Sequence, residues 1–210
     1  MPSKPFVFTV VSDSTPGWTR LEESAHKQGI DLKTFFLGET GHTGFLKKKH
    51  RYIAETLRIH QPEFFIFVDG WDTLFVRPMR PTMPKGLWFG GEKNCYPMKE
   101  LEAFYAVAPS SLGMFPFLNS GVIWGETEAY LKHVPPVGIH DQLAWTIKYL
   151  GGVENIHIDG WAEVALNLHS VPNEDLRRLP GGGVQHIPSN GTPLVVHGNG
   201  NWPIPQWMGV

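Results

Sequence analysis

The chain opens with hydrophobic runs that alternate with amphipathic stretches. Phe6–Val11 is a continuous β-prone run, and the capping residues that follow it predict a helix ending near Gln28. Leu32–Leu37 predicts a second strand, Phe45–His60 a second helix, and the purely apolar Phe64–Val68 a third strand. Near-continuous apolar strands that alternate with helices are typical of a parallel sheet covered on both faces. The pattern therefore predicts an α/β fold that begins as a doubly wound sheet.

The remainder of the chain has a less regular pattern, with shorter apolar runs and many turn-forming residues. The predicted elements are short strands at Leu87–Gly90, Gly121–Trp124, Ile156–Ile158 and Leu194–Val196, a helix at Gly138–Leu150, and ordered loops or a flexible tail at Pro180–Pro205. With 210 residues, 41% of them hydrophobic, the chain is long enough for one well-filled α/β domain and short for two. We therefore expect a single domain of residues 1–210, with a mainly parallel N-terminal half.

Composition and charge narrow the range of partners. Lys and Arg total 18 against 20 Asp and Glu, which gives a formal net charge of −2 and no basic field to hold nucleic acid. The single cysteine, Cys95, excludes an intrachain disulfide. The first apolar run is far shorter than a membrane span and lacks a small-residue cleavage site. We expect a protein with no membrane span that works in the cytoplasm.

Two carboxylates follow directly on the third predicted strand. Asp69 and Asp72 stand at its carboxyl end, where open α/β sheets bind their ligands, and Gly70 permits a turn that brings both acids to one side. Hard oxygen ligands of this kind suit Mg²⁺ or Mn²⁺, which bridges nucleotide phosphates. The same pattern is equally typical of two acids that cap a strand end and a turn.

The last predicted strand also ends in a polar residue. His197 follows Leu194–Val196 and precedes Gly198, Asn199 and Gly200, and the two glycines let the backbone approach a ligand closely. His197 can be a third metal ligand through one imidazole nitrogen. A lone histidine after a strand is more often a plain hydrogen-bonded residue.

A polar pair interrupts the apolar run Phe117–Gly125. Asn119 and Ser120 can donate and accept hydrogen bonds to sugar hydroxyls, while Gly121 leaves room for the sugar ring. Asn-Ser-Gly is also an ordinary turn sequence.

Two further charged residues are candidates for catalysis. Asp141 stands at a predicted helix start, where it complements the helix dipole or, alternatively, orients an acceptor hydroxyl and accepts its proton. Lys49 belongs to a basic cluster, Lys47–Arg51, which is typical of a solvated helix face; turned inward, it would meet a diphosphate.

Several segments form a longer pattern when they are taken in order. They are Phe8–Val11, Gly17–Arg20, Leu37–Glu39, Phe67–Asp72, Phe89–Glu92, Cys95–Pro97, Phe117–Gly125, His140–Leu143 and Val195–Gly200. In this order and spacing they resemble the glycosyltransferase domain of the procollagen lysyl hydroxylases and the related glycosyltransferases of large DNA viruses. The likeness covers almost the whole chain and implies the GT-A fold, a Rossmann-like doubly wound mixed sheet.

The resemblance implies roles for individual residues. In that family the acids of a D-x-x-D motif and the histidine of an H-G-N-G segment bind manganese, which implies Asp69, Asp72 and His197 as ligands of Mn²⁺ (or Mg²⁺). The aromatic residue between the acids, Trp71, would stack on uracil, and Asn199 would lie near the diphosphate.

The resemblance also places the nucleoside against the end of the first strand, at Thr9, Val10, Val11 and Ser12. The chain departs from the family at the aromatic residue before proline, here Tyr96, and at an acidic run that His140 and Asp141 replace. Since these departures lie where the donor sugar or acceptor would be selected, collagen glucosylation is not expected. A viral or bacterial surface-glycan enzyme, acting in the host cytoplasm if viral, or one domain of a larger transferase fits better.

We therefore expect a metal-dependent glycosyltransferase of the hexosyltransferase class, which moves a sugar from a UDP-sugar to a hydroxyl of a glycan or glycoprotein. Lys49, Asn119 and Asp141 are the expected catalytic residues, and Asn119 and Ser120 also face the sugar. The alternatives are a nucleotide-sugar hydrolase or nucleotidyltransferase that uses the same site, and a non-enzymatic carbohydrate-binding module with exposed tryptophans.

Overall fold

The computed structural model describes residues 4–12, 15–38, 48–79, 83–108 and 113–208. Within these ranges the strands are β1 (Phe6–Val11), β2 (Leu32–Phe36), β3 (Phe64–Val68), β4 (Thr73–Phe75), β5 (Leu87–Glu92), β6 (Phe117–Glu126), β7 (Ile156–Asp159), β8 (Ala165–Asn167), β9 (Leu176–Arg178), β10 (Val184–His186) and β11 (Val195–His197). The α-helices are α1 (Pro16–Lys27), α2 (Lys49–His60), α3 (Glu102–Tyr105), α4 (Thr127–His133) and α5 (Asp141–Leu150). Single 3-10 turns lie at Lys99–Leu101, Asn173–Asp175, Asn199–Asn201 and Gln206–Met208.

The described residues form one nine-stranded mixed sheet and one small hairpin. The sheet has the order β2-β1-β3-β6-β5-β8-β11-β4, with β7 paired beside β5, and β9 and β10 form the separate antiparallel pair. β1 runs parallel to both β2 and β3, as the sequence predicts, while β6 runs antiparallel to β3 and β5. The predicted α/β class with a parallel N-terminal half is confirmed. The assignment of residues 1–210 to one domain stays a prediction.

The two faces of the first sheet strands are covered by different helices. Alternate side chains of β1 point to opposite faces, so Val7 packs in a cluster with Leu21 of α1, whereas Phe8 packs in a cluster with Ile53 and Leu57 of α2. This is the doubly wound arrangement that continuous apolar strands predict, because a strand buried on both faces needs no polar side.

β6 is longer than the strand predicted from Gly121 to Trp124. It begins at Phe117, so Asn119 and Ser120 lie within a strand rather than in a turn. The ladder between β5 and β6 shifts register between Phe89 and Gly90, at the point where these polar side chains occur. The irregular pairing and the pocket on one side allow buried polar residues within β6, whereas the strand was predicted only over the short apolar run that follows them.

Two helix boundaries differ from the predicted ones. α5 begins at Asp141 instead of Gly138, because Gly138 has a φ of 105° that no right-handed helix contains. α2 begins at Lys49; the earlier part of the predicted second helix, residues 45–47, lies outside the described residues. The expected loop region from Pro180 to Pro205 contains β10 as well as β11.

The largest apolar cluster among the described residues packs α2 and α5 against the central strands. Trp145 of α5 is fully buried, with its ring centroid 5.1 Å from that of Phe89 and 5.2 Å from that of Tyr130.

None of the helices in the described ranges is long and apolar enough to cross a membrane.

Replacement of Trp145 by alanine is expected to lower the free energy of unfolding by about 3–5 kcal/mol, the usual cost of removing a buried aromatic ring. Ile147→Ala is the matched control, because Ile147 lies on the same helix with 54% of its surface exposed, and we expect it to change the free energy by less than about 0.5 kcal/mol. Chemical denaturation measures both. Equal effects in the two variants would show that α5 does not pack as described.

Candidate active site

The two acids after β3 are held on one side of the sheet by the chain around them. Asp69 donates its backbone N–H to the carbonyl oxygen of Gly121 at 2.7 Å, and Asp72 accepts from the N–H of Gly198 at 2.7 Å. The turn between them depends on Gly70, where a Cβ would lie 2.1 Å from a methyl carbon of Val11. The glycine thus lets the turn press against the end of β1, so both carboxylates face the carboxyl edge of the sheet.

His197 completes a compact group with the two carboxylates. Its Nε2 atom lies 3.2 Å from Asp72 Oδ1 and 3.9 Å from Asp69 Oδ2, and one ligand atom from each residue lies within 4.8 Å of the others. The imidazole fits because Gly121 has no side chain: a Cβ there would lie 2.1 Å from His197 Cε1. The room at Gly121, which the sequence assigned to a sugar ring, is taken by this histidine.

A second polar residue fixes the tautomer of His197. The amide nitrogen of Asn167 donates to the carbonyl oxygen of Gly91 at 2.8 Å, so Asn167 presents its oxygen to His197 Nδ1, 2.6 Å away. His197 Nδ1 must therefore carry a proton and donate it. In the neutral imidazole the lone pair is then on Nε2, which faces the carboxylates, and this is the arrangement that metal-binding histidines have.

The donor set suits a divalent cation. Two carboxylates and one imidazole nitrogen match Mn²⁺ better than Mg²⁺, which prefers oxygen ligands alone. In the free chain a second proton can occupy Nε2 instead. Burial alone would lower the pKa of His197, but the carboxylates of Asp72 and Asp69 outweigh this effect and raise it.

A buried lysine lies behind Asp69. Lys49 is 2% exposed, and its ammonium group contacts Asp141 Oδ2 at 2.8 Å, Asp69 Oδ1 at 3.1 Å and the carbonyl oxygen of Ser120 at 3.2 Å. Burial opposes its charge, but Asp141 and Asp69 raise the pKa of Lys49. Burial alone would raise the pKa of Asp141, and Lys49 together with the hydroxyl of Ser120 reverses this and lowers it. The three donors of the ammonium are therefore occupied by the protein.

Glu92 forms a second buried acidic group, and sequence reasoning gave it no role. Its carboxylate is 2% exposed and accepts from the amide nitrogens of Gln142 at 2.5 Å, Asn199 at 2.8 Å and Asn119 at 3.3 Å. Burial raises the pKa of Glu92 to about 7, against the opposing effect of these amide hydrogen bonds.

The amides around Glu92 cannot reverse their orientation without losing other hydrogen bonds. The side-chain oxygen of Asn119 accepts from the N–H of Gly121, and that of Asn199 accepts from the N–H of His169. Each amide nitrogen is thus directed at Glu92. The site therefore requires an acceptor at both terminal atoms of this side chain, which a carboxylate supplies and an amide, with one oxygen and one NH2 group, does not.

Most of the predicted site residues meet in one pocket of about 450 Å³ at the carboxyl edge of the sheet. The predicted residues that line it are Val10, Val11, Ser12, Lys49, Asp69, Trp71, Asp72, Asn119, Ser120, Asp141, His197, Asn199 and Gly200. Two others do not line it: Thr9 is fully buried beneath Gly70, and Gly198 serves through its backbone contact with Asp72.

A polar residue at the end of a strand is a usable signal for two of the site residues that the sequence prediction missed. Asn167 ends the short apolar strand β8, and Glu92 ends β5, so each is a polar residue at a strand end, as Asp69 and His197 are. Glu92 was noted only within a longer pattern of residues. Gln142, which belongs to the same longer pattern, and His169 also line the pocket, and no local pattern distinguishes His169 from an ordinary polar residue.

Comparison with known proteins identifies the family. The family profile described as the PLOD GT domain matches residues 2–204. The chain is 27% identical to a procollagen-lysine,2-oxoglutarate 5-dioxygenase of Drosophila melanogaster and 26% identical to a multifunctional procollagen lysine hydroxylase and glycosyltransferase of Caenorhabditis elegans, in each case over 92% of this chain and 30% of the relative. It spans less than a third of the length of either relative.

An α/β domain with this fold and family profile is a glycosyltransferase domain. The chain belongs to the PLOD glycosyltransferase-domain family. The resemblance inferred from the sequence is thereby confirmed. Among solved structures, the crystal structure of a glycosyltransferase involved in the glycosylation of the major capsid of PBCV-1 is similar, with a TM-score of 0.49, 13% identity, and coverage of 93% of this chain and 94% of that chain.

Asn167→Ala is expected to weaken Mn²⁺ binding about 10–100-fold, because loss of a group that orients a metal-binding histidine typically has this effect. Asn173→Ala, at an exposed position of a 3-10 turn, is the control. Affinity is measured by calorimetry, and thermal unfolding checks that each variant is folded.

The pH dependence of the same measurement tests His197. A cation needs Nε2 unprotonated, so Mn²⁺ affinity should rise with pH. Because the carboxylates raise the pKa of His197, the rise should continue above the usual imidazole value of about 6.5. His197→Ala should bind Mn²⁺ weakly and lose this slope. Identical affinity and slope in wild type, Asn167→Ala and His197→Ala would exclude His197 as a ligand.

Proposed function

We propose that this domain transfers a sugar from a UDP-sugar to a hydroxyl of a glycan or glycoprotein, with Mn²⁺ (or Mg²⁺) held by Asp69, Asp72 and His197. The proposal rests on the way these three residues meet at a pocket that is wide enough for a nucleotide-sugar. Asn167 supports it by fixing the tautomer of His197. The family membership supports the transferase class.

The charge of the pocket supports dependence on a cation. Its described lining contains four carboxylates, on Asp69, Asp72, Glu92 and Asp141, and one lysine, Lys49. A UDP-sugar carries a negative diphosphate, and like charges in a partly buried site repel strongly. A divalent cation bound at the triad would offset this repulsion and stabilise the charge that develops on the departing UDP.

The nucleoside is proposed to lie between Trp71 and the end of β1. Val10, Val11 and Ser12 line the pocket on one side, and Trp71 lines it next to the cation triad. The start of α1 holds the backbone of Trp71 closely, since a Cβ at Gly17 would lie 1.9 Å from the carbonyl oxygen of Trp71. A backbone held in this way limits where the indole can reach and keeps it beside the pocket, which suits stacking on uracil.

The sugar is proposed to meet the side of the pocket formed by Glu92. Both oxygens of Glu92 already accept amide hydrogen bonds, so Glu92 is proposed to shape this side of the pocket through the amides that it holds. Asn119, which the sequence placed against the sugar, uses its amide to hold Glu92 and the backbone of Gly121. We therefore assign Asn119 a positioning role, and Asn199 the same role on the other oxygen of Glu92.

Lys49 and Asp141 are proposed to position the cation site. Lys49 holds Asp69 in place and balances part of the negative charge, and Asp141, itself 2% exposed, holds Lys49 together with Ser120. This differs from the direct contacts with diphosphate and acceptor that the sequence suggested, because Nζ of Lys49 and Oδ2 of Asp141 are occupied within the protein.

Turnover of UDP-sugars tests the proposed function. With Mn²⁺ and a panel of glycan acceptors, the wild type should release UDP and extend one acceptor, as mass spectrometry detects. Asp69→Asn and Asp72→Asn keep the shape but remove charge from the cation site, and each should lower turnover by about 100-fold or more, equivalent to a few kcal/mol of transition-state stabilisation.

Asp31→Asn is the matched control, because Asp31 is exposed and pairs only with Lys33 among the described ion pairs; its turnover should equal that of the wild type. Full activity of both cation-site variants at limiting Mn²⁺ would refute the proposal. Release of free sugar or of UMP without an extended acceptor would assign the site to a hydrolase or a nucleotidyltransferase.

A further inference from the structure

An exposed tryptophan lies on a second groove, outside the candidate active site. Trp161 is 48% exposed and lines a groove of about 440 Å³ together with Glu163 and residues 189–192. None of the described residues that line this groove also lines the candidate active site. The groove lies at the start of β8, and Asn167, which orients His197, is at the other end of this strand.

The loop that carries Trp161 is held by a buried carboxylate that the proposed reaction does not use. Asp159, at the end of β7, is 5% exposed and accepts from the backbone N–H groups of Glu163 at 2.9 Å, Val164 at 2.8 Å and Ala165 at 3.0 Å. Burial raises the pKa of Asp159, against these hydrogen bonds. The hydrogen bonds close the loop on itself, so the indole is presented on a fixed backbone.

The opposite wall of the groove is also fixed. Asn190 accepts from the side chain of Gln185, and Ser189 hydrogen-bonds to the ring of His186, which is fully buried. The two walls pack backbone to backbone, because a Cβ at Gly191 would lie 2.3 Å from the carbonyl oxygen of Trp161. The shape of the groove therefore exists before any ligand binds.

The chemistry of the groove matches a neutral sugar ring. An exposed indole face packs well on the C–H face of a sugar, and the hydroxyl, amide and carboxylate groups of Thr192, Asn190 and Glu163 can bond to hydroxyls at its edge. The described lining contains one acidic and no basic side chain, which disfavours phosphate, sulfate or acidic sugars.

From this arrangement we infer that the groove around Trp161 binds a neutral segment of a glycan chain at a distance from the reaction centre. Such a site would hold an extended acceptor by a second contact and raise its effective concentration at the active site. Glycan binding at Trp161 needs neither UDP nor a cation, so it is separate from the proposed transfer reaction.

The experiment measures binding in the absence of UDP and Mn²⁺. The protein is screened against an array of neutral oligosaccharides, and those that bind are titrated by NMR, which follows the indole N–H signals. Trp161→Ala should lower the affinity for these oligosaccharides at least about tenfold, in keeping with the energy of one aromatic stacking contact. Thr192→Ala should lower the affinity for these oligosaccharides by a smaller factor, because it leaves the indole of Trp161 in place.

Phe104→Ala is the matched control, because Phe104 is 58% exposed and lies outside the groove; it should bind like the wild type. Failure of every neutral oligosaccharide to bind, or equal affinity in wild type and Trp161→Ala, would overturn the inference. Light scattering provides a second arm: self-association that Trp161→Ala abolishes would assign the surface to a second copy of the chain. Because turnover of UDP-sugars is measured separately, either proposal can fail alone.

Discussion

The balance of charge in one partly buried pocket is the constraint on which the rest of the site depends. Carboxylates are costly to place away from water unless each has a compensating partner. Asp141 is paired with Lys49, and Glu92 is held by neutral amides that all point their nitrogens at it. Asp69, which also contacts Lys49, and Asp72 both face His197. The space between these carboxylates and the imidazole can therefore accept positive charge, which either a proton on His197 or a divalent cation would supply.

The fold brings these groups together by placing strand ends side by side. β3, β5, β8 and β11 end at one edge of the sheet and carry Asp69, Glu92, Asn167 and His197 at or next to their last residues. The close approach needs glycine at two crossing points: Gly70 against β1 and Gly121 against the imidazole. A side chain at either position would separate the carboxylates from the histidine, so the chemistry of the site depends on residues that have no functional group.

The sequence predicted the first half of the fold well, because strands buried on both faces are marked by apolar residues and little else. The predicted bounds of the first and third strands, Phe6–Val11 and Phe64–Val68, are the same as the observed ones. The prediction made β6 too short, because polar residues of the site interrupt its run of apolar residues. It missed β8, because a strand of three residues is too short to show a hydrophobic periodicity. Local sequence cannot show that strands distant in the chain pair with each other.

The same limit applies to the site. Asp69, Asp72 and His197 were identified as one group through family resemblance and strand-end position, and the structure brings them together. The internal contacts of Lys49 and Asp141 were not foreseen, because the burial of a charged side chain depends on which acids the tertiary fold places beside it. The role of Asn167 follows only from a hydrogen bond between two strands.

In the proposed site, His197 binds a divalent cation through Nε2 beside Asp69 and Asp72. Pulsed electron paramagnetic resonance of the Mn²⁺ complex tests it most directly, because the echo modulation reports nitrogen bound to the metal. Protein labelled with ¹⁵N only in histidine should show a histidine nitrogen coupled to Mn²⁺ in the wild type, and His197→Gln should lose this coupling. A Mn²⁺ complex of the wild type without nitrogen coupling, or with a coupling that His197→Gln retains, would show that His197 is not a ligand of the cation.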